Sequence, residues 1–383
     1  MKITVAIDSF KGSLSTIQSG EAVLRAAREV FPDATVYISP LADGGEGTVA
    51  AVTSATGGEI RRVRVTGPLG EEVDAEYGIT PDGIAVIEMS SASGITLVSS
   101  ERRDPLRATT YGVGQLIADA IKNNKIRNFI LGIGGSATND GGAGMLAALG
   151  FGLFDADGAQ ISPDPLGLSR LCAIDTSTAL PELSECRFRV ACDVTNPLLG
   201  KNGASAVYGP QKGATAEMVS LMDGWLSHFA QLTAATVGRD CSALPGAGAA
   251  GGLGFALISY LNASLESGID LVIEATDLER FVSTSDLVVT GEGRLDGQSC
   301  MGKAPVGVAK LAKKHGKTVI AFCGVATPDA VKCNSNGIDA YFPIPTCPLT
   351  LEEAMDVRRA SYNLEATARQ VFLLYRAALT KKC

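Results

Sequence analysis

Histidine is nearly absent from this chain. Only His228 and His315 occur among 383 residues, so a histidine-based triad or a histidine-rich metal centre lacks its usual parts. His228 falls in a stretch with helical patterning and His315 at the end of another, which suits surface or capping roles. No CxxC pair occurs among the nine cysteines. That excludes the common structural zinc patterns, argues against a disulfide framework, and fits a reducing, cytoplasmic setting. Long apolar runs are missing too. The most apolar stretch, Ala247 to Leu261, is short and crowded with glycine, whereas a membrane span needs about 20 predominantly apolar residues. Met1 to Asp8 runs straight into a strand pattern and an acid, with no signal core, so export is not expected. An excess of basic residues is also lacking: 33 Lys and Arg against 41 Asp and Glu give a net charge of −8. This argues against nucleic acid and anionic membranes as partners, while leaving room for a local basic pocket. There is no fixed-period repeat and no long low-complexity linker.

What is present is a hydrophobic fraction of 46% and 44 glycines, enough for substantial cores and many tight turns. Ile3 to Ile7 reads as a buried strand and Leu14 to Val30 as a helix, with Ser15 and Gln18 spaced for a capping box. Thr35 to Ser39 is a second strand and Thr48 to Ala55 a second helix. This alternation indicates a parallel, three-layer sheet. The pattern then changes. Glu59 to Val65, Glu71 to Gly78 and Ile84 to Met89 alternate, split by Gly67-Pro68-Leu69-Gly70 and Pro81-Asp82-Gly83, which are hairpin signals. Helices follow at Tyr111 to Asn123, Met218 to Val237 and Gly251 to Leu265, with strands at Phe129 to Ile133 and Phe188 to Cys192. Leu287 to Val289, Val319 to Phe322 and Ala340 to Phe342 return to parallel-strand style, and Tyr362 to Leu379 closes with a helix. Length alone favours two domains. Because the two ends share one style and the middle has another, the expected architecture is α/β. A Rossmann- or flavodoxin-like three-layer domain from residues 1–60 and 285–383 carries a second, mixed α/β domain, residues 61–284, inserted in it. The active site is expected in the cleft between them.

Glycine-rich segments carrying acids or cations follow strand after strand. The fullest is Thr290-Gly291-Glu292-Gly293-Arg294-Leu295-Asp296-Gly297, continuing through Ser299 and Gly302 to Lys303, Ala304 and Pro305. It reads as a loop between the Leu287 strand and a helix from Val306 to Lys314. Free N–H groups and the dipole at such a helix start attract anions, and Arg294 and Lys303 suit a transferring phosphoryl group. Gly297 to Lys303 fits GxxxxGK, but Ala304 stands where a P-loop needs Ser or Thr. Asp8-Ser9-Phe10-Lys11-Gly12-Ser13 follows the first strand, where open α/β sheets hold ligands. Lys11 can neutralise a carboxylate or phosphate, and Asp8 can accept from a hydroxyl or hold a metal-bound water. Asp43, in Ala42-Asp43-Gly44-Gly45-Glu46-Gly47, either orients magnesium or a hydroxyl or simply caps a helix. Gly132 to Gly142 begins like a dinucleotide fingerprint, but Ala137 breaks it. Its small and hydroxyl residues suit phosphate or substrate contact. Asp193 ends another strand and is either a general base for a hydroxyl or an Asx-turn acid. Gly246 to Gly254 either wraps phosphates or permits tight helix packing.

These motifs together resemble the signatures of type I glycerate kinases: the segments Asp8 to Ser13, Ala42 to Thr48, Gly134 to Gly142, Cys192-Asp193-Val194 with Asn196-Pro197-Leu198, Pro210-Gln211-Lys212-Gly213-Ala214, Gly246 to Gly254 and Gly291 to Asp296. The matches run in order across nearly the whole chain. Ile7 stands where that family usually has proline and Ser299 where threonine is more usual, and neither change removes a charged side chain.

The resemblance implies an ATP- and magnesium-dependent kinase that converts D-glycerate to 2-phosphoglycerate. Under it Asp193, Lys11 and Arg294 are catalytic: Asp193 receives the hydroxyl proton, and Lys11 and Arg294 hold the carboxylate and the transferring phosphoryl. Asp8, Ser9, Lys11, Ser136 and Asn139 bind substrate. Gly134, Gly135, Thr138, Gly248, Gly251, Gly252 and Lys303 contact the nucleotide, and Asp43, Glu292 and Asp296 hold magnesium. A homodimer is compatible with the pattern. Two rivals stay open on residues alone. An NAD-dependent sugar-acid dehydrogenase needs an intact GxGxxG after the first strand, and a non-catalytic sugar-acid binding protein needs no phosphoryl-neutralising set.

Overall fold

The computed structural model describes residues 1–380. The chain divides into two compact units. The first comprises Met1–Asp43, Ala50–Thr56 and the chain from Ile269 onward; the second comprises Gly44–Val49 and Gly57–Gly268. The sequence reading set the junctions near residues 60 and 285.

The first unit is built on a five-stranded sheet in the order Ala340–Pro343, Thr318–Ala326, Leu287–Leu295, Lys2–Ile7, Thr35–Ile38, with every neighbouring pair parallel. Its central strands are β-branched and apolar, as strands covered on both faces must be. Ile3, Val5, Ile7, Leu287, Val289, Ile320 and Phe322 point to one face and pack on the helices Thr16–Val30 and Val357–Thr380. The alternate residues are left for the other face, where Leu278–Thr284 and Ala304–Lys314 contact the same sheet. Phe322 and Phe372 lie in that core with no exposed surface, each stabilising it by about 2–3 kcal/mol. The Thr16–Val30 helix starts on the expected capping box: Gln18 N donates to Ser15 Oγ at 3.2 Å, and Ser15 N donates to Gln18 Oε1 at 2.9 Å.

The second unit holds a six-stranded mixed sheet in the order Ser264–Glu266, Arg187–Ala191, Asn128–Gly132, Ile84–Glu88, Glu72–Ile79, Glu59–Thr66. The first four strands run parallel and the last two pair antiparallel, as the hairpin signals required. Helices Tyr111–Asn124, Ala216–Val237 and Ala249–Leu261 contribute to one continuous core with Tyr77, Phe129, Phe229 and Phe255 at its centre.

Two expectations need correction. The Leu287 strand does not stop at Val289 but runs to Leu295, so Thr290 to Leu295 is ladder rather than loop. Gly291, Glu292, Arg294 and Leu295 register with Phe322, Cys323, Val325 and Ala326 of the neighbouring strand. The glycine here is a packing need: a Cβ on Gly291 would sit 2.2 Å from the Phe322 carbonyl oxygen. The Gly251 helix ends at Leu261 rather than Leu265. Asn262 takes the left-handed conformation (φ 51°) that closes helices, and Ser264–Glu266 becomes a strand.

Candidate active site

In the first unit, parallel strands end side by side and deliver their following residues to one place. Asp8, Ser9 and Lys11 leave the first strand, Asp43 follows the second, and Glu292, Arg294 and Asp296 come from the extended third. Lys303 precedes the helix Ala304–Lys314, whose first turn carries Pro305. All eight line one cavity of about 460 Å³. Its other wall is apolar and includes Phe10, Val325, Leu349, Leu351 and Met355.

The electrostatics are those of crowded acids. Asp8 is 5% exposed. Burial, reinforced by Asp43 and Glu292, pushes its carboxyl up to about 7 against the opposing Ser9 N–H and Lys11. Ser9 N donates to Asp8 Oδ1 at 2.7 Å. Burial likewise raises Glu292, while Ser299 and Lys303 pull it back. Glu292 Oε1 is buried without a hydrogen-bond partner, a costly state for a carboxylate unless a cation joins it. Lys11 Nζ lies 3.9 Å from Asp43 Oδ2, and Arg294 Nε lies 3.1 Å from Asp296 Oδ2. Both cations are about two-thirds exposed, so each remains available to an incoming anion. Asp296 is held by its own turn, accepting from Gln298 N at 2.9 Å and Ser299 N at 3.2 Å.

The second unit contributes a different surface. The segment Gly134 to Asp140 follows the Asn128–Gly132 strand. Gly134 and Gly135 are exposed, while Ser136, Ala137, Thr138, Asn139 and Asp140 are buried. The buried Asp140 carboxylate anchors the loop by accepting from Thr110 N, Thr110 Oγ1, Gly142 N and Gly144 N, all within 3.1 Å. Asn139 Nδ2 donates to Ser205 Oγ at 2.8 Å, while Asn139 Oδ1 and Thr138 Oγ1 have no partner. Gly248, Gly251 and Gly252 are buried. A Cβ on Gly251 would lie 2.0 Å from the Thr138 carbonyl oxygen, and one on Gly248 would lie 2.2 Å from that of Pro197. Their lack of side chains serves close backbone packing under the loop. Asp193 sits exposed just past the Arg187–Ala191 strand and accepts from Gly268 N at 3.0 Å through Oδ1.

The strand-end rule located the acids and cations of the first unit. It missed Lys212, which is buried in the second unit, with Nζ 2.8 Å from Ser136 Oγ and 2.6 Å from the Thr138 carbonyl. A lysine between Gln211 and Gly213 in a turn-like stretch looks like a solvated one. The remaining signal was its place in the Pro210-to-Ala214 motif.

The histidines behave as capping and surface groups. His228 Nε2 lies 2.9 Å from the Leu171 carbonyl oxygen, and His315 pairs with Glu279 at 2.8 Å. No helix among the described residues is long and apolar enough to cross a membrane.

Known proteins resemble this arrangement along its whole length. The model of the glycerate kinase family matches residues 3–376. The chain is 50% identical over 373 residues to the glycerate 2-kinase of Escherichia coli K12, covering 96% of this chain and 98% of that one. It is 48% identical to the glycerate kinase of Bacillus subtilis 168, with 99% of both chains covered. A crystal structure from Salmonella typhimurium LT2, described as a candidate glycerate kinase 2, superposes with a TM-score of 0.90 at 48% identity over 99% of each chain. On this agreement of sequence and fold, the chain is a kinase that belongs to the glycerate kinase family.

Proposed function

We propose that this protein transfers the terminal phosphoryl group of ATP to the 2-hydroxyl of D-glycerate. The carrying observation is the first unit's cavity, where Lys11, Arg294 and Lys303 stand among the carboxylates of Asp8, Asp43, Glu292 and Asp296. Three cations suit an anionic substrate and a transferring phosphoryl, and acids beside them suit a cation that travels with phosphate. The cavity volume exceeds what a three-carbon acid needs and falls in the range that takes drug-sized ligands. The apolar wall of Phe10, Leu349, Leu351 and Met355 supports seating the nucleotide's base there. Neither rival reading is favoured. The turn after the first strand carries no GxGxxG, and a passive binder has no use for the Arg294, Asp296 and Lys303 set.

In this reading Lys11 and Arg294 hold the glycerate carboxylate and the phosphoryl oxygens, with Asp8 and Ser9 accepting from and donating to the substrate. Ser136 and Asn139 contact substrate as well. The exposed Gly134 and Gly135 and the buried Thr138 serve the nucleotide phosphates, shaped from beneath by Gly248, Gly251 and Gly252. Asp193 takes the proton from the 2-hydroxyl as that oxygen attacks phosphorus, and ADP departs with the bond that breaks. Its carboxylate is oriented by the hydrogen bond it accepts from Gly268 N. The rate then derives mainly from positioning and charge neutralisation.

Magnesium fits the donor set. Among the described residues no group of three or more His, Cys, Asp or Glu forms a ready metal cage. Magnesium, however, is commonly held by one or two carboxylates together with substrate phosphates. The orphaned Glu292 Oε1 is the donor to expect, with Asp43 and Asp296 nearby to orient coordinated water. When bound, the ion neutralises charge on the phosphates. Eight described cysteines are free thiols, which supports a cytoplasmic setting.

Incubating the purified protein with Mg-ATP and D-glycerate and identifying the product by phosphorus NMR tests the proposal. The expected product is 2-phosphoglycerate. 3-Phosphoglycerate would refute the regiochemistry, and no ATP consumption would refute the reaction.

A further inference from the structure

Among the described residues Lys212 is the one cation buried against the Gly134–Asp140 segment, and the roles assigned above leave it idle. It is 2% exposed. Its ammonium donates to Ser136 Oγ at 2.8 Å and to the Thr138 carbonyl at 2.6 Å, bridging 76 and 74 residues of sequence. Among the described residues no carboxylate lies within ion-pair distance of it. The nearest compensating charge is Asp140, itself saturated by four donors. Arg103 and Asp104 line a small void together with Lys212 and Ala137. An unpaired buried ammonium is expensive, and native folds keep such a group where a function repays it.

The geometry suggests that function. An ammonium has three hydrogens and no lone pair, so Ser136 Oγ must accept from Lys212. The serine hydrogen is thereby turned away from Lys212, and no acceptor takes it within the described structure. Next to it Thr138 Oγ1 is buried with no partner. Two hydroxyls whose donor capacity is unspent therefore sit over the buried Lys212 amine, beside the exposed Gly134–Gly135 turn. That is the chemistry of an oxyanion site.

We propose that Lys212 is a positioning residue: by donating to Ser136 Oγ it aims the Ser136 hydroxyl outward to hold an oxyanion of the substrates at the Gly134–Thr138 turn. The oxyanion is either the carboxylate of the acceptor or a phosphate of the nucleotide. The assignment rests on the kinase reading for the identity of the ligand, but not for the existence of the site. Burial pushes the Lys212 ammonium down to about 7, with Asp140 opposing. An arriving anion would keep it charged.

The test is a double-mutant cycle read by binding as well as by turnover. Lys212→Met, Ser136→Ala and the double variant are titrated calorimetrically with D-glycerate and, separately, with ADP, and kcat and KM are measured in parallel. Lys212→Met should weaken one of the two ligands about tenfold or more, and KM should move more than kcat. In the Ser136→Ala background the same change should cost less than about threefold. A weakened glycerate arm identifies the carboxylate and a weakened ADP arm the phosphate. Affinities within twofold of wild type in both arms overturn the proposal. So does a Lys212→Met cost that persists in full without the serine, because it would mark a merely structural lysine. Should Lys212→Met not fold, Ser136→Ala and Ser136→Thr decide. Alanine should weaken the anion and threonine, which keeps the hydroxyl, should restore it; an alanine variant that binds normally refutes the assignment. Wild-type protein that binds these anions yet fails to phosphorylate glycerate would sink the functional reading and leave this one standing.

Discussion

Asp193 and Lys11 differ in what they can lose. Asp193 is proposed to accept one proton in the transition state, so Asp193→Asn should lower kcat by about a hundredfold or more while ATP affinity stays near wild type. Normal turnover in that variant would remove Asp193 as the base. Lys11 is exposed and only loosely paired with Asp43. Lys11→Ala should raise KM for glycerate by roughly tenfold with little effect on folding, and an unchanged KM would place Lys11 outside the substrate site. Lys212 has a signature in stability as well. Its ordinary value is 10.5 and burial lowers it to about 7 in the fold. Between these two values the unfolded chain retains a proton that the folded chain has shed. The unfolding free energy therefore rises with pH across that window, while below it the full cost of the buried charge is present. From pH 7 to 9.5 wild type should gain roughly 3 kcal/mol on Lys212→Met in paired denaturant melts. A constant gap between the two proteins would show that Lys212 titrates as an ordinary lysine.

Elements decide how those residues are presented. Gly251 has φ 68° within a buried bend, and Gly141 N donates to its carbonyl at 2.9 Å, tying the Ala249–Leu261 helix to the loop that contains Thr138. A methyl group there meets the Thr138 carbonyl and an unfavourable backbone at once. Gly251→Ala should cost about 3 kcal/mol or more in thermal or denaturant unfolding. It should also weaken anion binding at the loop, and wild-type stability in that variant would show that the bend relaxes freely. The same scale separates legible from illegible sequence. Helix Thr16–Val30 announced itself through its periodicity and its Ser15–Gln18 cap, both of which are local. The continuation of the Leu287 strand from Thr290 to Leu295 did not, because glycine, glutamate and arginine are poor strand formers. It is held as a strand by its ladder to Thr318–Ala326, where the Phe322 carbonyl leaves Gly291 no room for a side chain. Ser264–Glu266 is likewise a strand only because Arg187–Ala191 offers it an edge.

At the scale of the whole molecule, each unit has its own apolar core and neither core contains the carboxylates proposed for the metal. Chelation of divalent cations should therefore abolish turnover while leaving the circular dichroism spectrum unchanged, and added magnesium should restore activity. Phosphoryl transfer that continues in excess chelator would eliminate the metal from the reaction.

By itself the sequence determined the α/β class, the parallel style of the ends, the mixed style of the middle, the kinase family, and the strand-end acids and cations. These follow from short-range patterns: apolar periodicity, caps, glycines and charges next to strands. Only the tertiary structure decided that seven of those side chains, with Ser9, line one cavity, that Gly251 serves packing beneath the Thr138 loop, and that Lys212 lies buried under Ser136. Those facts depend on contacts between segments tens to hundreds of residues apart, and burial turns an ordinary lysine or aspartate into one with an altered charge equilibrium. No local pattern encodes that burial, because it belongs to the neighbours the fold supplies.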